Sequence, residues 1–159
     1  MTESAGIRKA RRFAAIDVGS NSVKLSIAVR GNSRRPAIIE TARIVSQLGD
    51  KQSSSGELHE DSIERTAQAI AQMVEESRTQ DVELIRAIAT AAARDAGNSD
   101  VLIERARDLC GVELEIISGG REAELAFRAV SSNHITDNHR SLVFDTGGGS
   151  TELITADGD

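Results

Sequence analysis

The chain has no tryptophan, no tyrosine and only three phenylalanines. Stacking of nucleic-acid bases on aromatic platforms is thereby excluded as its main mode of binding. Cysteine is almost absent as well. Cys110 stands alone, so no internal disulfide can form, and a reducing compartment is the default expectation. No run of eighteen apolar residues exists, so nothing reads as a membrane span. The basic start, with Arg8, Lys9, Arg11 and Arg12, leads into a short apolar stretch that Asp17 interrupts, which is not a secretory signal. A cytoplasmic location is expected. The formal net charge of −6 argues against broad nucleic-acid binding. It also poses a question for any anionic substrate, which would be repelled unless metal cations or a local basic patch intervened.

What is present suffices for one packed core. Hydrophobic residues make up 39 % of 159 and charged residues 28 %, a balance that places the chain among globular domains rather than disordered ones. Residues 1–12 read as a basic, disordered tail. Phe13 to Ile16 is apolar, and Val23, Leu25, Ile27 and Val29 alternate with polar neighbours, the period of a strand with one buried face. The intervening VGSNS is turn chemistry and predicts a hairpin. After a turn at Arg30 to Pro36, Ala37 to Val45 reads as a third strand, and Gln47 to Glu60 as a loop.

Asp61 with Glu64 has the form of a capping box, opening a helix to about Ser77 with Ile63, Ala67, Ile70 and Val74 on one face. A strand at Leu84 to Ala89, a helical turn over Ala91 to Ala96 and a helix capped by Ser99 follow. Cys110 ends that helix as a buried structural thiol. A strand at Val112 to Ile117, a helix from Gly120 to Val130 and a strand ending at Asp145 complete the order. Three antiparallel strands followed by alternating helices and strands predict an α/β lobe of the ribonuclease H-like, actin-like kind. Its five-stranded mixed sheet should have the order 3-2-1-4-5, with parallel later strands. Ser131 to Arg140 reads as polar and helix-poor. His59, His134 and His139 have no metal-ligand spacing and are read as surface residues.

The most informative feature is a repeat. IDVGSNSVKL from Ile16 and FDTGGGSTEL from Phe144 align without gaps, matching Asp17 with Asp145, Gly19 with Gly147, Ser22 with Ser150 and Leu25 with Leu153. In each copy an apolar strand delivers a carboxylate to its end, and small residues turn the chain into a second strand. Glycine permits positive φ and close approach of an anion, and consecutive amides with serine hydroxyls form an anion nest. The aspartate cannot hold phosphate itself. It calls for a cation that bridges to phosphate oxygens, and magnesium, which takes few carboxylates and keeps water and phosphate ligands, suits the role. Neither turn opens a helix with Gly-Lys-Ser/Thr, so a P-loop is excluded. The glycines at 147–149 lead into TELI, not a helix, so a dinucleotide fingerprint is excluded too.

Four words, IDVGSNS, ATAAARDAGN from Ala89, EIISGGREAELAF from Glu115 and FDTGGGSTE from Phe144, occur in an order and spacing that resembles the exopolyphosphatase and guanosine pentaphosphatase family. The similarity runs from about Phe13 to Ile154. It implies hydrolysis of terminal phosphoanhydrides of inorganic polyphosphate or guanosine pentaphosphate, with Mg²⁺ as cofactor. It assigns Glu122 as the general base and Arg94 as the phosphate-gripping arginine. Asp17, Asp145 and Glu152 become metal-facing carboxylates, and Ser20, Asn21, Ser22, Gly147, Gly148, Gly149, Ser150 and Thr151 line the phosphates.

Lys24 is read as an outward strand residue, and Glu124 as lying on a different helix face from Glu122. The implied domains are a tail at 1–12, a first lobe at 13–131, and at 132–159 a crossing segment with the first hairpin of a truncated second lobe. The chain is accordingly expected to be a fragment, weakly active or inactive in isolation. No DNA, RNA or membrane partner is expected, and homodimerisation of the full-length form stays open. Two other readings compete: an actin-fold kinase, which would need an aspartate base, and a non-catalytic lobe that binds nucleotide or phosphate.

Overall fold

The computed structural model describes residues 10–31, 35–50, 52, 56–134, 141–147 and 151–156. Strands β1 (Arg11–Val18), β2 (Ser22–Arg30) and β3 (Ala37–Val45) form an antiparallel meander, joined through helix α1 (Glu60–Thr79) to β4 (Leu84–Ala89). The short α2 (Ala91–Arg94) and α3 (Ser99–Cys110) lead to β5 (Leu114–Ile116), and α4 (Gly119–His134) follows. The sheet order is β3-β2-β1-β4-β5, as expected, with β4 parallel to both β1 and β5. Strands β6 (Ser141–Thr146) and β7 (Thr151–Ala156) pair as a separate two-stranded sheet.

Alternation along β1 and β2 sends Ala14, Ile16, Val18, Val23, Leu25 and Ile27 to one face, where all are buried. Helix α1 meets that face with Ile63, Ala67, Ile70 and Val74, the spacing of a single apolar stripe, together with buried Met73. Leu102 and Ala106 of α3 close the same core. On the opposite face Ala15, Lys24, Arg43 and Arg86 are exposed. No helix among the described residues is long and apolar enough to cross a membrane.

Several local expectations need correction. The strand begins at Arg11, not Phe13: Arg11 pairs with Arg30 across the ladder and donates from Nε to Glu83 at 2.7 Å, while Arg12 donates to the Gln80 carbonyl. Residues 1–9 of the expected tail lie outside the described residues. The N-cap of α1 is His59, whose Nδ1 accepts from the Asp61 amide at 3.3 Å; Asp61 sits in the first turn. Glu64, assigned to a capping box, instead receives two bonds from Arg105 of α3, at 2.7 and 3.0 Å. Asn98, not Ser99, is the N-cap of α3, and its side-chain amide bonds both the N–H and the carbonyl of Leu58.

Helix α3 ends at Gly111, whose φ of +70° lies in the left-handed region that favours glycine. Cys110 is a free, buried thiol that donates to the Ala106 carbonyl, a structural role as expected. Helix α4 runs to His134, so the helix-poor segment predicted from Ser131 is helical in its first four residues. His139 lies outside the described residues, as does the His134 side chain.

Candidate active site

The hairpin turn after β1 is closed by the Gly19 amide donating to the Ser22 carbonyl at 3.1 Å. Gly19 does not use the positive φ that the sequence allows it. Instead it leaves Ser20 and Asn21 at the tip, while Ser22 is buried and takes part through its backbone. This two-residue tip, with Gly19 bonded across to Ser22, sets Val18 opposite Val23 and Asp17 opposite Lys24. Lys24, which strand alternation marks only as outward, thereby joins the candidate site: its Nζ lies 3.7 Å from Asp17 Oδ2. The second hairpin repeats the register, with Asp145 opposite Glu152 and Thr146 opposite Thr151. Asp145, Gly147 and Thr151 are exposed; Gly148, Gly149, Ser150 and the Glu152 side chain lie outside the described residues.

Arg94 is placed by backbone continuity. The Thr90 amide donates to the Val18 carbonyl, continuing the β1–β4 ladder, and the Arg94 amide donates to the Thr90 carbonyl in the turn of α2. In parallel, the Ile117 amide donates to the Ala89 carbonyl, which brings the start of α4 alongside. Ser118 Oγ accepts from the Arg121 amide, and Glu122 occupies the first helical turn. The two candidate side chains then meet. Arg94 Nη1 donates to Glu122 Oε2 at 2.7 Å and to the Ile117 carbonyl at 3.4 Å, with Asp95 3.6 Å from Nε. The pair is largely shielded, the Arg94 side chain being 27 % exposed and that of Glu122 16 %.

Glu124 points elsewhere, as the helix geometry predicts. It is exposed and held by Arg121 at 2.6 Å and by Arg128, and the Arg121 bond is the main cause that keeps its pKa low. Asp17 behaves in the opposite way. Burial raises its pKa, Lys24 opposes that rise, and the fields of Glu122 and Asp145 add to it. Carboxylates from the second hairpin and from α4 thus bear on an Asp17 that is itself partly desolvated. Among the described residues no group of three or more His, Cys, Asp or Glu is gathered as a metal site.

Comparison with known proteins supplies the deciding observation. Residues 26–159 match the model of the Ppx/GppA phosphatase family. The chain belongs to the Ppx/GppA phosphatase family. Exopolyphosphatase 2 of Mycobacterium tuberculosis is 36 % identical over 152 residues, covering 90 % of this chain and 47 % of that protein. Guanosine-5'-triphosphate,3'-diphosphate pyrophosphatase of Photobacterium profundum is 34 % identical over 149 residues, covering 92 % of this chain and 29 % of the other. The solved Aquifex aeolicus PPX-GPPA enzyme is 35 % identical with a TM-score of 0.81, over 94 % of this chain and 50 % of that one. The chain thus spans about half the length, or less, of the relatives it matches. Like its Ppx/GppA neighbours, it has the actin-like ATPase fold in its five-stranded lobe.

Proposed function

We propose that the complete gene product hydrolyses terminal phosphoanhydride bonds of inorganic polyphosphate or of guanosine pentaphosphate, releasing orthophosphate. The observation that carries this reading is the shielded Arg94–Glu122 contact at 2.7 Å, beside the hairpin turn that leaves Ser20 and Asn21 at its tip. Relatives named for exopolyphosphatase and guanosine pentaphosphate pyrophosphatase activities support it. The β6–β7 hairpin is read as the opening of a second lobe.

In the free site Arg94 occupies the Glu122 carboxylate. A terminal phosphoryl group entering between the Ser20–Asn21 turn and Arg94 offers several oxygens to the same planar fork. As Arg94 turns to phosphate, Glu122 loses its ion partner and is free to accept a proton from water. The water oxygen bonds to phosphorus while the bridging P–O bond breaks. Its electron pair leaves with the shortened chain, and the proton held by Glu122 passes to solvent. Arg94, Lys24 and the turn amides balance charge on the phosphoryl oxygens, which answers the problem set by an acidic chain.

Asp17, Asp145 and Glu152 are the residues that would hold magnesium. Asp17 and Asp145 carry hard carboxylate oxygens, the donor type that magnesium takes, and burial together with the fields of Glu122 and Asp145 raises the Asp17 pKa against Lys24. Bound there, the cation would neutralise phosphate charge. A cytoplasmic setting goes with the free, buried thiol of Cys110.

The test is to incubate the complete gene product and Mg²⁺ with polyphosphate of defined length in water labelled with heavy oxygen. One label should enter the released orthophosphate and none the shortened chain. Unlabelled transfer to an acceptor would point to a kinase, and binding without release to a non-catalytic lobe. Either outcome would overturn the reading.

A further inference from the structure

After β3 the chain folds back across the tip of the first hairpin. The Ser46 and Gln47 amides both donate to the Asn21 carbonyl, at 3.1 and 3.0 Å, and the Gly49 amide donates to the Ser20 carbonyl at 2.8 Å. On its other side the same segment reaches α2, where Gln52 Nε2 donates to the Ala92 carbonyl at 3.0 Å, two residues ahead of Arg94. Arg65 of α1 holds the segment from behind by donating to the Ser46 carbonyl at 3.3 Å. One strap therefore touches both halves of the phosphate site.

Within the strap, Gly49 lies directly against the turn and α2. A Cβ there would lie 3.2 Å from Ser20 Cβ, 3.5 Å from the Ser20 carbonyl oxygen and 3.7 Å from Ala92 Cβ. The backbone does not demand glycine at this position: only Gly56 and Gly111 are glycines with positive φ among the described residues. The demand comes from the contact. Ser20 Cβ is fixed by its own backbone and cannot rotate away as the end of a long side chain would. A side chain at 49 must therefore push the turn itself. Room for that displacement exists, because Ser20, Asn21, Gln47, Gly49 and Asp50 line a polar hollow of about 250 Å³ beside the turn.

We propose that Gly49 is a positioning residue for the reaction: it sets the gap between the Ser20–Asn21 phosphate turn and α2, and so the reach of Arg94 to a phosphoryl group seated in that turn. The inference rests on the phosphohydrolase reading above. It extends that reading to a segment that the sequence presents only as a loop.

The experiment uses the complete gene product carrying Gly49→Ala and Gly49→Val, each alone and in a Ser20→Gly background. Rates are read as phosphate release from polyphosphate, and binding as calorimetric titration with inorganic tripolyphosphate. A displacement of a few tenths of an ångström to about 1 Å in a site of this kind costs up to about a hundredfold in kcat/KM. Gly49→Ala should accordingly lose about tenfold and Gly49→Val about a hundredfold, with weaker tripolyphosphate binding and Tm moved by less than about 4 °C. Ser20→Gly lowers the rate by itself, but it removes the atom that the new Cβ strikes. In that background Gly49→Ala should cost less than about threefold.

A merely structural role would lower Tm and leave binding per folded molecule unchanged, with the same penalty in both backgrounds. That result overturns the proposal, as does a Gly49→Val protein with wild-type kcat/KM. If the wild-type protein binds tripolyphosphate but releases no phosphate, the hydrolase reading fails and weakened binding by Gly49→Val still supports positioning. If the wild-type protein does neither, both fall.

Discussion

Removing Arg94 should expose what the pair with Glu122 contributes before any substrate arrives. Exposed ion pairs are worth about 0.2–1 kcal/mol, whereas removing one member of a buried pair costs about 3–5 kcal/mol. With side chains 27 % and 16 % exposed, this pair falls between those limits. Arg94→Ala should thus destabilise the protein by about 1–3 kcal/mol, because it strands a shielded carboxylate and frees the Ile117 carbonyl. Glu122→Gln keeps a hydrogen-bond acceptor for Arg94 and should cost less. In the double variant the stranded charge is gone, so the two effects should not add, leaving a coupling of about 1–2 kcal/mol. Denaturant unfolding of all four proteins measures this coupling. Saturating tripolyphosphate should shrink it, since Arg94 then faces phosphate in place of Glu122. A coupling below about 0.3 kcal/mol, within the error of such cycles, would refute the clamp. So would a coupling that tripolyphosphate leaves untouched.

Asp17 yields a prediction of opposite sign. A carboxylate whose pKa is raised on folding binds its proton more tightly in the folded state, so its penalty is absent below the unfolded pKa and grows as pH rises through the folded one. In EDTA, Asp17→Asn should therefore raise Tm at neutral pH, and the gain should vanish below about pH 4. A lowered Tm at neutral pH, or a gain independent of pH, would show that the Lys24 contact outweighs burial. Asp145→Asn in the complete gene product should weaken Mg²⁺ affinity measured in the presence of substrate; unchanged affinity and rate would remove Asp145 from the site.

The parts of the fold that repeat or alternate were legible in the sequence. β3 and β4 fall where their patterns place them, and the gapless alignment of the hairpins correctly anticipates that 17–24 and 145–152 are equivalent cross-strand pairs. What escaped depends on partners distant in the chain. Glu64 could cap its own helix or reach Arg105, and only the packing of α1 on α3 selects the second. Capping by His59 in place of Asp61 turns on one residue of offset, which side-chain preferences do not resolve. Lys24 was legible in principle, because a hairpin with a two-residue tip at Ser20–Asn21 places it opposite Asp17, yet strand alternation alone marks it as merely outward. The role of Gly49 needed coordinates, since nothing in SQLGD names Ser20 or Ala92 as its neighbours.

The central claim is that Glu122, released from Arg94, activates the attacking water. Phosphate release from polyphosphate under saturating Mg²⁺, compared for wild-type, Glu122→Gln and Glu124→Gln forms of the complete gene product, tests it most directly. Gln is nearly isosteric and can still bond water, but it cannot take the proton, so Glu122→Gln should lose a factor of about 10² to 10⁴ while retaining tripolyphosphate affinity. Glu124→Gln should stay within about threefold of wild type, because its carboxylate is exposed and bound outward to Arg121 and Arg128. Retention of the wild-type rate by Glu122→Gln, with the loss falling on Glu124→Gln or on neither, would contradict the account.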